Sequence, residues 1–174
     1  MARYKALLQV TVLVIAALIP GCGGGLTSES GTAAEQALVS LRKIDSSTEL
    51  QVSLSEYRIR LVETKAEVEN ALSKLPDGEL KKELSLALDA YVDRQRVLER
   101  KDWSRPSPND AYAFLILLKN DRADIDLAEV LTQKYGVQAE EDNNSYSMNF
   151  NAVRGALYQA GRKHIGRASE LLKE

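Results

Sequence analysis

From Thr32 onward, apolar residues recur at intervals of three, four or seven with polar residues between them, over nearly the whole chain. That is the period of a helix with one buried face. Ala34, Ala37, Leu38, Leu41 and Ile44 predict a helix over 32–50, opened by the capping box Thr32–Glu35. The polar stretch Asp45–Thr48 is expected to fray or bend it. Leu54, Tyr57, Leu61, Val68, Leu72 and Leu75 predict a second helix over 54–75, opened by a second box, Ser53–Glu56. Leu80, Leu84, Leu88, Tyr91 and Leu98 continue the spacing over 79–102. Only Pro76-Asp77-Gly78 separates these two, so they read as an antiparallel hairpin.

The linker SRPSP, Ser104–Pro108, follows. Ser107, Pro108 and Asp110 suit the N-cap, N1 and N3 positions of a helix over 108–119, which contains the dense apolar run Ala113–Leu118. Asp121 caps a helix ending at Tyr135, with Gly136 as its C′ residue. Gln138–Asn144 reads as an acidic loop. Tyr146, Phe150, Val153, Leu157, Ala160, His164, Ala168 and Leu171 form the stripe of a last helix over 146–173. No segment carries the period-two pattern of a strand. The expected fold is all-α: four longer helices (32–50, 54–75, 79–102 and 146–173) in a bundle, with two shorter ones at 108–119 and 121–135.

The first residues follow another pattern. Arg3 and Lys5 precede a largely apolar run, Ala6–Ile19, interrupted by Gln9 and Thr11. This is the charged region and short hydrophobic region of an export signal. The run is shorter than the ~20 residues a helix needs to span a bilayer. Ile19-Pro20-Gly21-Cys22 comes next, and here the chain resembles the bacterial lipoproteins. Their lipobox is an aliphatic residue, a variable small or apolar residue, Gly or Ala, then Cys; Ile19, Gly21 and Cys22 match it, and Pro20 departs from the usual residue. Over these first residues the resemblance implies that a diacylglycerol is joined to Cys22 and that the chain is cleaved between Gly21 and Cys22. In a diderm host it further implies an N-acyl lipid on the new terminus. Two or three acyl chains anchor stably where one does not. Gly23, rather than Asp, favours the outer membrane by the sorting rule of that class; in a monoderm host the address is the outer face of the plasma membrane.

The chain then divides into a signal peptide, 1–21; lipidated Cys22 with a Gly/Ser-rich tether to Gly31; and a helical domain, 32–174. A tether of this composition has an r.m.s. reach of roughly 15–18 Å. Within the domain, the stretch EYRIRLVETKAEVENALSKLPDGELKKELSLALDAYV, Glu56–Val92, weakly resembles uncharacterised exported helical proteins of bacteria, and that likeness carries no activity with it.

Composition narrows the function classes. With 44% hydrophobic and 28% charged residues, 10 Gly and 4 Pro, the chain is not collagen-like or wholly disordered. A net charge of −2, from 23 basic and 25 acidic residues, leaves no global footprint for nucleic acid. Its 1 Cys excludes an internal disulfide and a cysteine-ligated zinc site. Its 1 His, His164, sits on the apolar stripe of the last helix, with no carboxylate or second imidazole three or four residues away. A half-buried, satisfied histidine explains it better than a ligand or base.

Asp121, Asp124, Asp126 and Glu129 are dense, but their spacing is not that of an EF-hand loop and the turn Gly is missing. Capping and the helix dipole explain them instead. Glu140, Glu141 and Asp142 read as a solvated loop. Gly155–Lys163, GALYQAGRK, has the wrong spacing for a phosphate-binding loop. Gly155 and Gly166 share a helix face and are expected to admit a close neighbour.

The last helix carries Arg154, Arg162, Lys163, Arg167 and Lys173 against Glu170 and Glu174, a local excess of cations. Arg162, Lys163, Arg167 and the aromatic Trp103 are the candidates for partner contact, against the plainer reading of a solvated face and a core anchor. No catalytic cluster and no metal or cofactor motif appears beyond the lipid expected on Cys22. The expected partners are a membrane, reached through that lipid, and an unidentified envelope protein. The expected role is structural or interactive rather than enzymatic. The alternative is a small-ligand module with a pocket among Tyr57, Tyr91, Phe150 and Tyr158.

Overall fold

The computed structural model describes residues 27–49, 52–100 and 114–174. The described chain runs α1 (Ser28–Glu49), α2 (Leu54–Lys74), α3 (Glu79–Arg100), β1 (Phe114–Leu118), α4 (Arg122–Gln133), β2 (Glu140–Glu141), β3 (Ser145–Asn149) and α5 (Phe150–Leu171). The protein is a predominantly α-helical bundle of four long helices, as the periodicity requires. Helix α3 packs most extensively on α5, and α1 on α2.

The stripes bury as spaced. Ala34, Ala37, Leu41, Ile44, Val68, Leu84, Val97, Val153 and Ala168 have no exposed surface. The side chain of Ser53 accepts from the Glu56 amide at the start of α2. The α2–α3 hairpin turns at Pro76–Gly78, where Lys81 pairs with Asp77 at 2.9 Å. The side chain of Asp121 accepts from the amides of Ala123 and Asp124 to cap α4. Gly136 takes φ 66°, a conformation that suits glycine, and lets Val137 donate its amide back to the Leu131 carbonyl at 3.0 Å.

Several local expectations are corrected. Helix α1 begins at Ser28, so Ser28–Gly31 belong to its first turn, not to the tether. Thr27 caps this end by accepting from the Ser30 amide at 3.2 Å, while the Thr32 hydroxyl bonds back to the Ser28 carbonyl inside the helix. Asp45–Thr48 does not interrupt the helix. Residues 114–118, expected inside a helix over 108–119, form β1 instead. Tyr146–Asn149, expected in the last helix, belong to β3, and α5 starts at Phe150 with Asn149 as its cap. Glu140–Glu141 of the expected acidic loop form β2.

The three strands make one antiparallel sheet in the order β1-β3-β2. Phe114 lies opposite Asn149, Ile116 opposite Ser147 and Leu118 opposite Ser145. Leu115 and Leu117 enter the core, while Phe114, Ile116 and Leu118 are about half exposed. The unbroken apolar run FLILL conceals this alternation, because both faces carry apolar residues. The linker 104–108 and the start of the expected helix over 108–119 lie outside the described residues.

Candidate functional site

Charged residues placed on the apolar stripes create a polar layer inside the bundle. Asp45 lies four residues beyond Leu41, in phase with the buried face of α1, and is only 9% exposed. Its Oδ1 accepts from the Tyr91 hydroxyl at 3.0 Å, and its Oδ2 accepts from Arg162 Nε at 3.0 Å. One carboxylate thus ties α1, α3 and α5 together. The Tyr57 hydroxyl donates to the Tyr91 carbonyl at 3.0 Å, which adds α2. Burial pushes the Tyr57 and Tyr91 phenols well above their usual range; for Tyr91 the Asp45 charge and hydrogen bond add to that. Both stay protonated donors.

Gly161 is the glycine that close packing requires. A Cβ there would stand 2.9 Å from the Tyr91 ring and hydroxyl. Gly155 and Gly166, the positions expected to admit a neighbour, have nothing within 4 Å. The helical period had pointed to the wrong pair, because the approaching group is the tip of a long side chain rather than a helix backbone.

Arg94 completes the layer. It lies three residues after Tyr91 and four before Leu98, is 7% exposed, and holds its guanidinium 5.4 Å from the Tyr57 ring centre. Burial lowers its pKa from the usual arginine range, though the group remains a cation. Neither Asp45 nor Arg94 stood among the sequence candidates. The signal available was a charge occupying an apolar phase of a helix.

Two further carboxylates work at the margins of the bundle. Asp93 receives the Tyr135 hydroxyl at 2.8 Å and lies 3.1 Å from Arg96 and 3.5 Å from Lys134. Asp124, 5% exposed, accepts the Leu118 amide at 2.9 Å and pairs with Arg100 at 2.6 Å.

The structure places the sequence candidates as follows. Arg162 pairs with Asp45 and stacks 4.7 Å over the Tyr158 ring. Arg167 pairs with Glu79 at 3.2 Å and with Glu170 at 3.3 Å. Lys163 is exposed on α5. His164 Nδ1 lies 2.7 Å from Glu83 on α3, so its partner comes from another helix. Asp126 pairs with Arg122 at 3.0 Å, and Asp142 accepts the Asn144 and Ser145 amides at 2.7 Å in the β2–β3 turn. Among the described residues no three His, Cys, Asp or Glu side chains converge as a metal site would need. Tyr57, Tyr91 and Phe150 are buried and Tyr158 is half-buried. An open groove of about 230 Å³ lies between α1 and α2, lined by Lys43, Ile44, Arg60, Glu63, Thr64 and Glu67, away from those rings. Gly21, Cys22 and Trp103 lie outside the described residues. Comparison with protein-family models, curated proteins and solved structures finds no match for this chain.

Proposed function

We propose that this is a lipid-anchored protein of the bacterial cell envelope, whose helical bundle is held beside a membrane in a structural or protein-interaction role. The observation that carries the reading is the order of features at the start of the chain: Arg3 and Lys5, the apolar run Ala6–Ile19, then Ile19-Pro20-Gly21-Cys22. The glycines Gly23–Gly25 after Cys22 suit a spacer between lipid and bundle. Among the described residues no helix is long and apolar enough to cross a membrane. The half-exposed apolar row Phe114, Ile116 and Leu118 favours a role in contact with another protein, because large side chains grouped on one strand face are unusual on a surface with no partner.

The test compares the full chain with its Cys22→Ala variant in cell fractions and by mass spectrometry of the N-terminal peptide. The expected result is an acylated peptide starting at Cys22 in the membrane fraction, with the variant uncleaved. An unmodified Cys22 overturns the reading.

A further inference from the structure

Helices α1 and α2 run antiparallel, and two serines of α1 mark their register. The Ser40 hydroxyl donates to Glu67, and Arg60 donates to the Ser47 hydroxyl at 2.6 Å. Both serines are buried, so two charged side chains of α2 reach across to α1, one at each end of the open groove. Between them the groove presents Lys43 of α1 with Glu63 and Thr64 of α2, over Ile44.

Three of those side chains have no partner among the described residues. Lys43 and Glu63 are exposed and make no ion pair or side-chain hydrogen bond there. Thr64 is only 5% exposed, and its hydroxyl makes no hydrogen bond there either. Hydroxyls within a helix commonly turn back to a carbonyl three or four residues earlier. Those of Thr32, Ser46 and Thr132 do so. That of Thr64 does not. It is not sealed from solvent, and the groove is the opening that Thr64 lines.

The charges of the lining are two cations, Lys43 and Arg60, and two carboxylates, Glu63 and Glu67. Arg60 and Glu67 are engaged with the serines, which leaves one ammonium and one carboxylate beside the Thr64 hydroxyl. A ligand of a single sign would suit one of these and be repelled by the other. A ligand bearing both signs suits both. Apolar surface adjoins the charges: Val39, 49% exposed, stands one turn before Lys43, and Ile59, 60% exposed, one turn before Glu63. A space of about 230 Å³ is below the roughly 300–1,000 Å³ of drug-sized pockets and suits a single small molecule.

We propose that this groove binds a free α-amino acid with an apolar side chain. Lys43 takes its carboxylate, Glu63 takes its ammonium, and the Thr64 hydroxyl bonds between them. The site belongs to the folded body and does not depend on the lipid, so its failure and that of the envelope reading are read separately.

The test uses the full chain in detergent, with L-leucine as the probe. Isocaproate, which lacks the amino group, and isopentylamine, which lacks the carboxylate, are the controls. Titration calorimetry and the thermal midpoint are followed for wild type, Lys43→Gln, Glu63→Gln and Thr64→Val. Wild type is expected to bind leucine saturably and each control at least about tenfold more weakly. Lys43→Gln and Glu63→Gln are each expected to bind leucine about tenfold more weakly. Thr64→Val is expected to bind about fivefold more weakly, yet to melt no lower than wild type without leucine, because the hydroxyl it removes has no partner in the fold. The proposal is overturned by any of four results: no saturable binding of leucine; equal affinity for either control; unchanged affinity in any of the three variants; or a lowered leucine-free midpoint in Thr64→Val, which would mark the hydroxyl as structural. Should Thr64→Val fail to fold, the two variants at exposed positions decide alone.

Discussion

Asp45 in the bundle and Asp124 beside the sheet are both buried carboxylates, and they do different work. Asp45 sits within α1, whose backbone groups are already satisfied by the helix, so its oxygens are free to join side chains of α3 and α5. Asp124 sits beside β1, an outer strand of the sheet among the described residues, where the Leu118 amide takes an acceptor outside β3. It supplies that acceptor and takes Arg100 as its counter-ion. In the helical region the interior charge links elements; at the sheet it closes an unfinished backbone ladder.

Removing each carboxylate should expose that difference. Asp124→Ala strands the Leu118 amide and separates Arg100, which is partly in water and so loses less than a fully buried partner would. A loss of about 3 kcal/mol is expected by denaturant titration, with faster amide exchange confined to β1. Asp45→Ala should cost about 2 kcal/mol, mainly from the unpaired Tyr91 hydroxyl, because half-exposed Arg162 can return to water. If the two variants lose equal stability and both loosen the sheet, the distinction is wrong.

A smaller change probes the packing that places Tyr91. Gly161→Ala sets a methyl against the Tyr91 ring, and its overpacking outweighs the gain in helix propensity by about 1 kcal/mol. The same substitution at Gly155, which has open space, should stabilise by up to ~1 kcal/mol. A shift of the same sign at both positions would remove the close contact from the argument.

The smallest effect at neutral pH separates the two regions in alkali. Tyr57 and Tyr91 in the bundle and Tyr135 against Asp93 all have phenol pKa values raised from 10.0, chiefly by burial. The folded state then holds protons that the unfolded chain releases. Stability should be insensitive to these groups below about pH 10 and fall steadily above it. Phenolate absorbance should rise together with unfolding rather than before it. Asp45→Asn removes a charge that raises the Tyr91 value, so its alkaline loss should be shallower, while Tyr135 titrates as before. Ionisation of all three phenols ahead of unfolding would contradict the burial.

The elements legible in the sequence are those set by contacts within a few residues. The α2–α3 hairpin, the Asp121 cap and the Gly136 turn each follow from local chemistry, and all three stand where the residues place them. The stripe of α5 also stands from Phe150 onward. The capping box at Thr32 misled because Thr27, a few residues earlier, caps equally well. At the candidate site, His164 and Arg162 were visible as residues but their partners were not: Glu83 and Asp45 come from other helices.

The sequence by itself therefore determined the helical period, most helix ends and the buried stripes, since each depends on neighbours along the chain. Only the tertiary structure decided that FLILL is a strand, because its partner Ser145–Asn149 is remote in sequence and both its faces are apolar. It also decided that Asp45 and Arg94 lie inside. Those outcomes rest on the register between helices, which the complementary packing of whole faces sets and which no local pattern contains.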